Sequence, residues 1–248
     1  MSVQVVFDPR LGVFRHHFEH DPIVPGVMLI DYYVAQGVRA RPDRMAAGLS
    51  DVRFQQFVRP GEPVDFTSCH SGEVRVERNG AACCTFKLDI AQVRLLASAA
   101  TSKPGSMRAL RIGALRDPDY WFLDDEIEVD HEGRMASCHV DMVALERRHG
   151  YLAEMPRWRP LVLIECAGNL ALALQHLAEP GGARSRYVFA RFGEIAYRTD
   201  CSLWEPRQTV VTHVKRFGTM LVWEATVSSP WSTQIVIRGA VSHGGKTQ

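Results

Sequence analysis

The chain has 248 residues, 46% of them hydrophobic and 23% charged, with a formal net charge of +1. That length suits one large domain or two of about 120 residues, at roughly 100–200 residues per domain. A near-neutral balance without a basic run gives no electrostatic reason to expect nucleic acid or a membrane surface as a partner.

Residues 1–15 lack the positive start and apolar core of a signal peptide. The longest apolar stretches are broken by Asp31, Glu165 and Asn169, so no membrane span is expected. The six cysteines form no C-x-x-C pair, which reads as reduced, mostly buried thiols in a cytoplasmic protein. Without clustered Cys and His ligands, neither a metal site nor a cofactor is expected.

In chain order, a short strand over Val3 to Phe7 leads into a histidine-rich, proline-broken loop, "HHFEHDPIVPG". An apolar helix follows, starting near Gly26 and ending by about Arg39. The stretch from Val52 to Thr101 reads as strands, with Asn79-Gly80 as a two-residue hairpin signal between alternating runs. Ser102 to Asp119 lack sustained alternation and carry Pro and Gly at both ends, the marks of a linker.

The second half repeats this order. Strand-like "EIEVDHEGRMASCHVDM" leads to turn-rich "ERRHGYLAEMPRW". Next comes the helix "RPLVLIECAGNLALALQHL", with Pro160 in its first turn and Gly181-Gly182 past its end. Four strand-like runs close the chain. Sliding one half over the other by 134 residues lays "PGVMLIDYYVA" on "RPLVLIECAGN" and Asp31 on Glu165. An internal repeat of half the chain length points to a duplicated domain. The boundaries are 1–103 for the first domain, 104–118 for the linker and 119–248 for the second domain.

Both helices are apolar on nearly every face, which calls for protein on all sides. A sheet curled around a central helix supplies that, and the fold class expected is α+β. Each wrapped helix carries one acid at the matching position. An ionised carboxylate there costs several kcal/mol unless it is paired or stays protonated. A structural hydrogen bond would explain one such acid. Two at equivalent positions, one preceded by a histidine loop, point to function.

At "HFEHDPIVPG" the sequence resembles the hotdog-fold 3-hydroxyacyl-ACP dehydratases of fatty acid synthesis. His17, Phe18, Pro22, Pro25 and Gly26 fit the family pattern His-Phe-x-x-x-Pro-x-x-Pro-Gly, and an apolar helix bearing an acid follows. Asp21 and Asp31 resemble the dehydratase/isomerase branch, and "FVRPGEPVDF" is similar to the family's strand and Pro-Gly turn. The resemblance covers about residues 5–100. Residues 120–245 match in layout, so the whole resembles a double hotdog, two antiparallel sheets each wrapped around a long helix, as in modular polyketide dehydratase domains. There are two departures. Ala35 stands where the family often has Gln, with Gln36 one place later, and Glu19-His20 replace small residues.

In the family, each active site takes His from one hotdog and the acid from the other. For a fused pair this implies one intact site, His17 with Glu165, and one degenerate site, Asp31 with Tyr151 or His149. The implied reaction is loss of water from a 3-hydroxyacyl thioester, carried on an acyl carrier protein or CoA, with isomerisation of the enoyl product as a further step. A neutral imidazole is a suitable base at the α-carbon, and a carboxyl with a raised pKa can protonate the leaving hydroxyl. Backbone N–H groups at Gly26 and Val27 would hold the enolate oxygen, an interaction worth roughly 3–4 kcal/mol. The fusion supplies both protomers, so a monomeric pseudo-dimer or a homodimer is expected.

His16 and His20 read as polar loop residues. His70, His131, His139, His176, His213 and His243 sit in no motif. Cys166 reads as a small buried residue. Trp158, Tyr32 and Tyr33 suit either an acyl tunnel or aromatic core packing. Two rival functions remain: a hotdog thioesterase, which the His17 motif opposes, and a non-catalytic acyl-carrier-binding partner.

Overall fold

Alternating burial along short strands, and burial on most faces of two helices, set the architecture. It is seen in a computed structural model that describes residues 2–15, 21–40, 48–89, 106–111, 122–123, 126–130, 132–154, 158–178, 187–197, 206–217, 220–229 and 233–243. The first half holds β1 (Ser2–Val6), α1 (Gly26–Ala40), β2 (Gly48–Phe54), β3 (Pro63–Ser68), β4 (Glu73–Arg78) and β5 (Ala81–Asp89). The second holds β6 (Met107–Arg111), β7 (Glu126–Asp130), β8 (Met135–Asp141), α2 (Met142–Arg148), α3 (Trp158–Ala178), β9 (Tyr187–Tyr197), β10 (Arg207–Phe217), β11 (Met220–Ser228) and β12 (Thr233–His243).

The strands form one antiparallel sheet in the order β1-β3-β4-β5-β2-β9-β12-β11-β10-β8-β7-β6. The two expected sheets therefore join edge to edge. The strand following each long helix lies at the seam, where Gly48 faces Ala196 and Arg53 faces Arg191. From the seam outward the halves read β2-β5-β4-β3-β1 and β9-β12-β11-β10-β8, the same order of elements, with β7 and β6 extending the second. The 134-residue offset carries Ser2–Val6 to 136–140, inside β8, and Gly26–Ala40 to 160–174, inside α3.

Side chains explain the curl around each helix. Tyr32 meets Phe7 edge-on at 5.8 Å, and Tyr33 stacks on Phe66 at 6.1 Å and meets Phe86 at 5.8 Å. These tyrosines pack in the core. α3 lies against β8, β9, β10 and β11, and α1 touches α3. The Thr212 hydroxyl of β10 donates to the Ala167 carbonyl of α3 at 3.1 Å, fastening the helix to the sheet.

The hairpin read at Asn79-Gly80 is present, with φ of 52° and 76°, the left-handed pair that a tight two-residue turn requires. Two sequence expectations need correction. Part of the stretch read as linker, 104–118, is strand: β6 pairs with β7, Met107 opposite Asp130. Part of the second turn-rich stretch is helix, because α2 runs through Glu146 to Arg148. Asp141 caps α2, its carboxylate accepting from the Val143 and Ala144 N–H groups at 2.9 and 3.0 Å.

Of the cysteines, Cys83, Cys84, Cys138 and Cys166 are buried and Cys69 is exposed; Cys201 lies outside the described residues. No helix among the described residues is long and apolar enough to cross a membrane.

Candidate active site

The two acids singled out by the repeat stand on the two helices that touch. Asp31 on α1 is 2% exposed and Glu165 on α3 is 7% exposed. Burial lifts the Glu165 carboxyl from 4.5 to about 7, since a low-dielectric setting disfavours the charged form. Glu165 has no ion pair among the described residues. Near neutral pH it therefore holds a proton it can give away.

One turn further along α3 lies Asn169, 4% exposed, whose Nδ2 is buried without a hydrogen-bond partner among the described residues. Positions four apart share a helix face, so Asn169 adds a second polar group beside Glu165. The sequence contains the signal: Asn169 is Ala35 plus the 134-residue offset, the place where the dehydratase pattern has Gln. Weighing that place in the first half alone misses its counterpart in the second.

His17 lies outside the described residues, as do His16, Phe18, Glu19 and His20. The chain is fixed on both sides of them. Before, the 3-10 turn Gly12–Arg15 buries Val13 and Phe14. After, Ile23 and Val24 are buried, the Val24 N–H donates to the Val58 carbonyl at 2.8 Å, and the Met28 N–H donates to the Pro25 carbonyl at 2.9 Å.

Helix α1 begins at Gly26, and the N–H groups of Gly26 and Val27 meet no hydrogen-bond partner among the described residues. These are two of the orphan donors every helix start leaves. A β-carbon added at Gly26 would run into the Phe54 ring, with Cδ1 at 2.7 Å. The bare α-carbon of Gly26 thus leaves room for Phe54.

The counterpart region in the second half is packed. His149 is 3% exposed, its ring edge-on to Phe122 at 5.4 Å and to Tyr151 at 5.6 Å. Its N–H donates to the Leu145 carbonyl at 2.9 Å, closing α2, and its carbonyl accepts from Leu152 at 2.8 Å. Tyr151 sits on the first half, where a β-carbon at Gly12 would meet its Cβ at 2.6 Å. The Cys166 thiol donates to the Phe122 carbonyl at 3.4 Å, a packing role as expected. The side chain of Trp158 lies outside the described residues.

Among the described residues no three His, Cys, Asp or Glu side chains are grouped to hold a metal ion. The arrangement supplies a protonated carboxyl, helix-start donors and a histidine motif leading into one of the two helices.

Comparison with known proteins bears out the resemblance read from the first motif. Residues 1–99 match the family model described as ApeI-like, ApeI dehydratase. Comparison with curated proteins returns no match. Among solved structures, the dehydratase domain of RzxB from Pseudomonas fluorescens matches with a TM-score of 0.69 at 14% identity, over 97% of this chain and 94% of that one. The dehydratase domain of PpsC from Mycobacterium tuberculosis, in complex with C12:1-CoA, matches with a TM-score of 0.67 at 13% identity, over 98% and 93%. The dehydratase domain from the CurJ module of curacin polyketide synthase gives 0.64 at 12%, over 98% and 90%. These likenesses run the length of the chain and show its fold, a double hotdog.

Proposed function

We propose that the protein is a dehydratase that removes water from a 3-hydroxyacyl thioester in polyketide-type or fatty acid synthesis, giving the 2-enoyl thioester. The observation that carries this is the buried Glu165 carboxyl, lifted to about 7 on a helix that touches α1. The match of residues 1–99 to a dehydratase family and the fold shared with polyketide dehydratase domains support it. A histidine-to-phenylalanine variant of the CurJ dehydratase is inactive, which favours a catalytic histidine here.

The roles follow from the chemistry. Neutral His17 takes the proton from the α-carbon, and the electron pair moves toward the thioester carbonyl. Negative charge gathers on the thioester oxygen, where the Gly26 and Val27 N–H groups can receive it. The β-hydroxyl leaves as water with the proton from Glu165, and the double bond forms between the α- and β-carbons. His17 and Glu165 come from different halves, so the fusion completes one site. Asp31, with Tyr151 or His149, would be the acid of a lost one. The substrate is carried on an acyl carrier protein or CoA; the CoA complex of the PpsC domain favours a thioester of that chemistry. The chain works as a monomeric pseudo-dimer or as a homodimer of it.

Mass spectrometry of a panel of carrier-bound 3-hydroxyacyl thioesters incubated with the protein tests this. Loss of one water is the expected result. Release of free acid would make it a thioesterase, and an unchanged panel would make it a non-catalytic acyl-carrier partner.

A further inference from the structure

The segment 21–25 joins the histidine motif to α1, and it is clamped from one side. The Arg59 guanidinium reaches across to Asp21 as a fork, with Nε and Nη2 donating to Oδ1 at 3.1 and 3.0 Å and Nη2 to Oδ2 at 3.2 Å. Next to Arg59, the Val58 carbonyl takes the Val24 N–H at 2.8 Å.

Arg59 is itself held. Its N–H donates to the Glu62 carboxylate at 2.8 Å, and Arg78 on β4 donates to the same carboxylate oxygen at 2.6 Å. The Gly61 N–H donates to the Phe7 carbonyl at 2.9 Å, tying this turn to the end of β1. One base, the turn Arg59–Glu62, thus fixes β1, β4 and the approach to α1 together.

Arg59 and Asp21 are exposed, with side chains 59% and 51% accessible. Exposed ion pairs contribute little to global stability because solvent screens them. A three-bond fork on the short arm leading into a helix start has a local effect instead: it removes the freedom of that arm.

We propose that Arg59 is a positioning residue for the dehydration reaction, acting through Asp21 to hold the segment 21–25 and with it the Gly26–Val27 start of α1. This rests on the dehydratase reading, since it is the placing of the N–H donors and of the upstream histidine motif that the clamp would serve. A carboxylate–guanidinium fork suits the task because two parallel bonds fix direction as well as distance. Lysine offers a point charge and cannot reproduce that geometry.

The test uses the full-length protein with Arg59→Ala, Arg59→Lys and Asp21→Asn, plus Arg238→Ala as a control for an exposed ion pair elsewhere, on the central strands β12 and β9, with Glu194 at 2.9 Å. Three quantities are read: kcat and KM on a 3-hydroxyacyl thioester, melting temperature, and hydrogen exchange of the peptide covering 21–30. Arg59→Ala and Asp21→Asn should lower kcat about tenfold, because a misplacement on the order of 1 Å is costly to a reaction. KM should change within about twofold and melting within about 2 °C, as for other exposed pairs. Exchange in 21–30 should rise in both variants, Arg59→Lys should recover part of kcat, and Arg238→Ala should match the parent.

Parent-like kcat in Arg59→Ala, or unaltered exchange in 21–30, overturns the proposal. So does a kcat loss that only tracks a fall in melting temperature. A parent protein that turns over no 3-hydroxyacyl thioester sinks the dehydratase reading itself and the positioning role with it. Exchange would then still show whether Arg59 holds the arm.

Discussion

The two halves of the molecule share a sheet order and a wrapped helix, and they differ in what stands ahead of that helix. In the first half, a 3-10 turn over Gly12–Arg15 and a clamped arm over 21–25 flank the histidine motif. In the second, the same interval between strand and helix holds α2, its Asp141 cap and the rings of His149 and Tyr151, with Phe122 packed edge-on to His149 from ahead of β7. Each helix keeps its buried carboxyl. On the proposed reading, the acid alone does not mark a working site. What distinguishes the halves is the approach to the helix, which carries the histidine motif in one and a packed ring cluster in the other.

The largest expected effect falls on the first approach. His17→Ala should lower turnover by about 10²–10⁴-fold, the range for a positioned acid or base. The double variant His17→Ala/Glu165→Gln should be little worse than either single change, because members of one acid–base unit are not additive. Additive losses would separate the two residues.

The acid itself gives the next effect, read as stability against pH. Glu165 in the folded protein sits at about 7, above its ordinary 4.5, so the folded state holds the proton more tightly than the unfolded chain. That contribution is fully present below about 4.5 and is lost as pH rises through about 7. Glu165→Gln cannot ionise. Relative to the parent it should gain up to about 3 kcal/mol between pH 4.5 and pH 8, read from denaturation curves. A pH-independent difference would contradict the buried, proton-bearing acid.

Gly26 sharpens the comparison from the packing side. Gly26→Ala should cost about 1–3 kcal/mol through overpacking against Phe54, with turnover falling alongside. Phe54→Leu in the same chain should recover part of the stability. The smallest effect belongs to the second half: Tyr151→Phe, which keeps the ring contacts with His149, should leave turnover within about twofold of the parent. A large loss there would revive the second site.

Much of this is legible in the sequence, and for physical reasons. Two helices without a polar face can only be wrapped, and the shared position of Asp31 and Glu165 reveals the repeat from the residues alone. The Asn79-Gly80 turn announces itself because few residue pairs accept two positive φ angles. β6 escapes such a reading because "MRALR" has no clean alternation and exists as a strand through its pairing with β7. α2 escapes it although its signal is present: Asp141 is a capping residue ahead of "MVALERR", masked by the turn-like Arg-His-Gly that follows. The contact of Gly26 with Phe54 is not legible at all, since it joins residues 28 positions apart whose approach depends on the sheet's curl.

Whether His17 works with the acid of the other half is decided by turnover of Asp31→Asn beside Glu165→Gln, in proteins first shown to be folded. Glu165→Gln should lose nearly all activity on a 3-hydroxyacyl thioester while Asp31→Asn keeps most of it. An inactive Asp31→Asn with an active Glu165→Gln would contradict that pairing and return the catalytic pair to the first half alone.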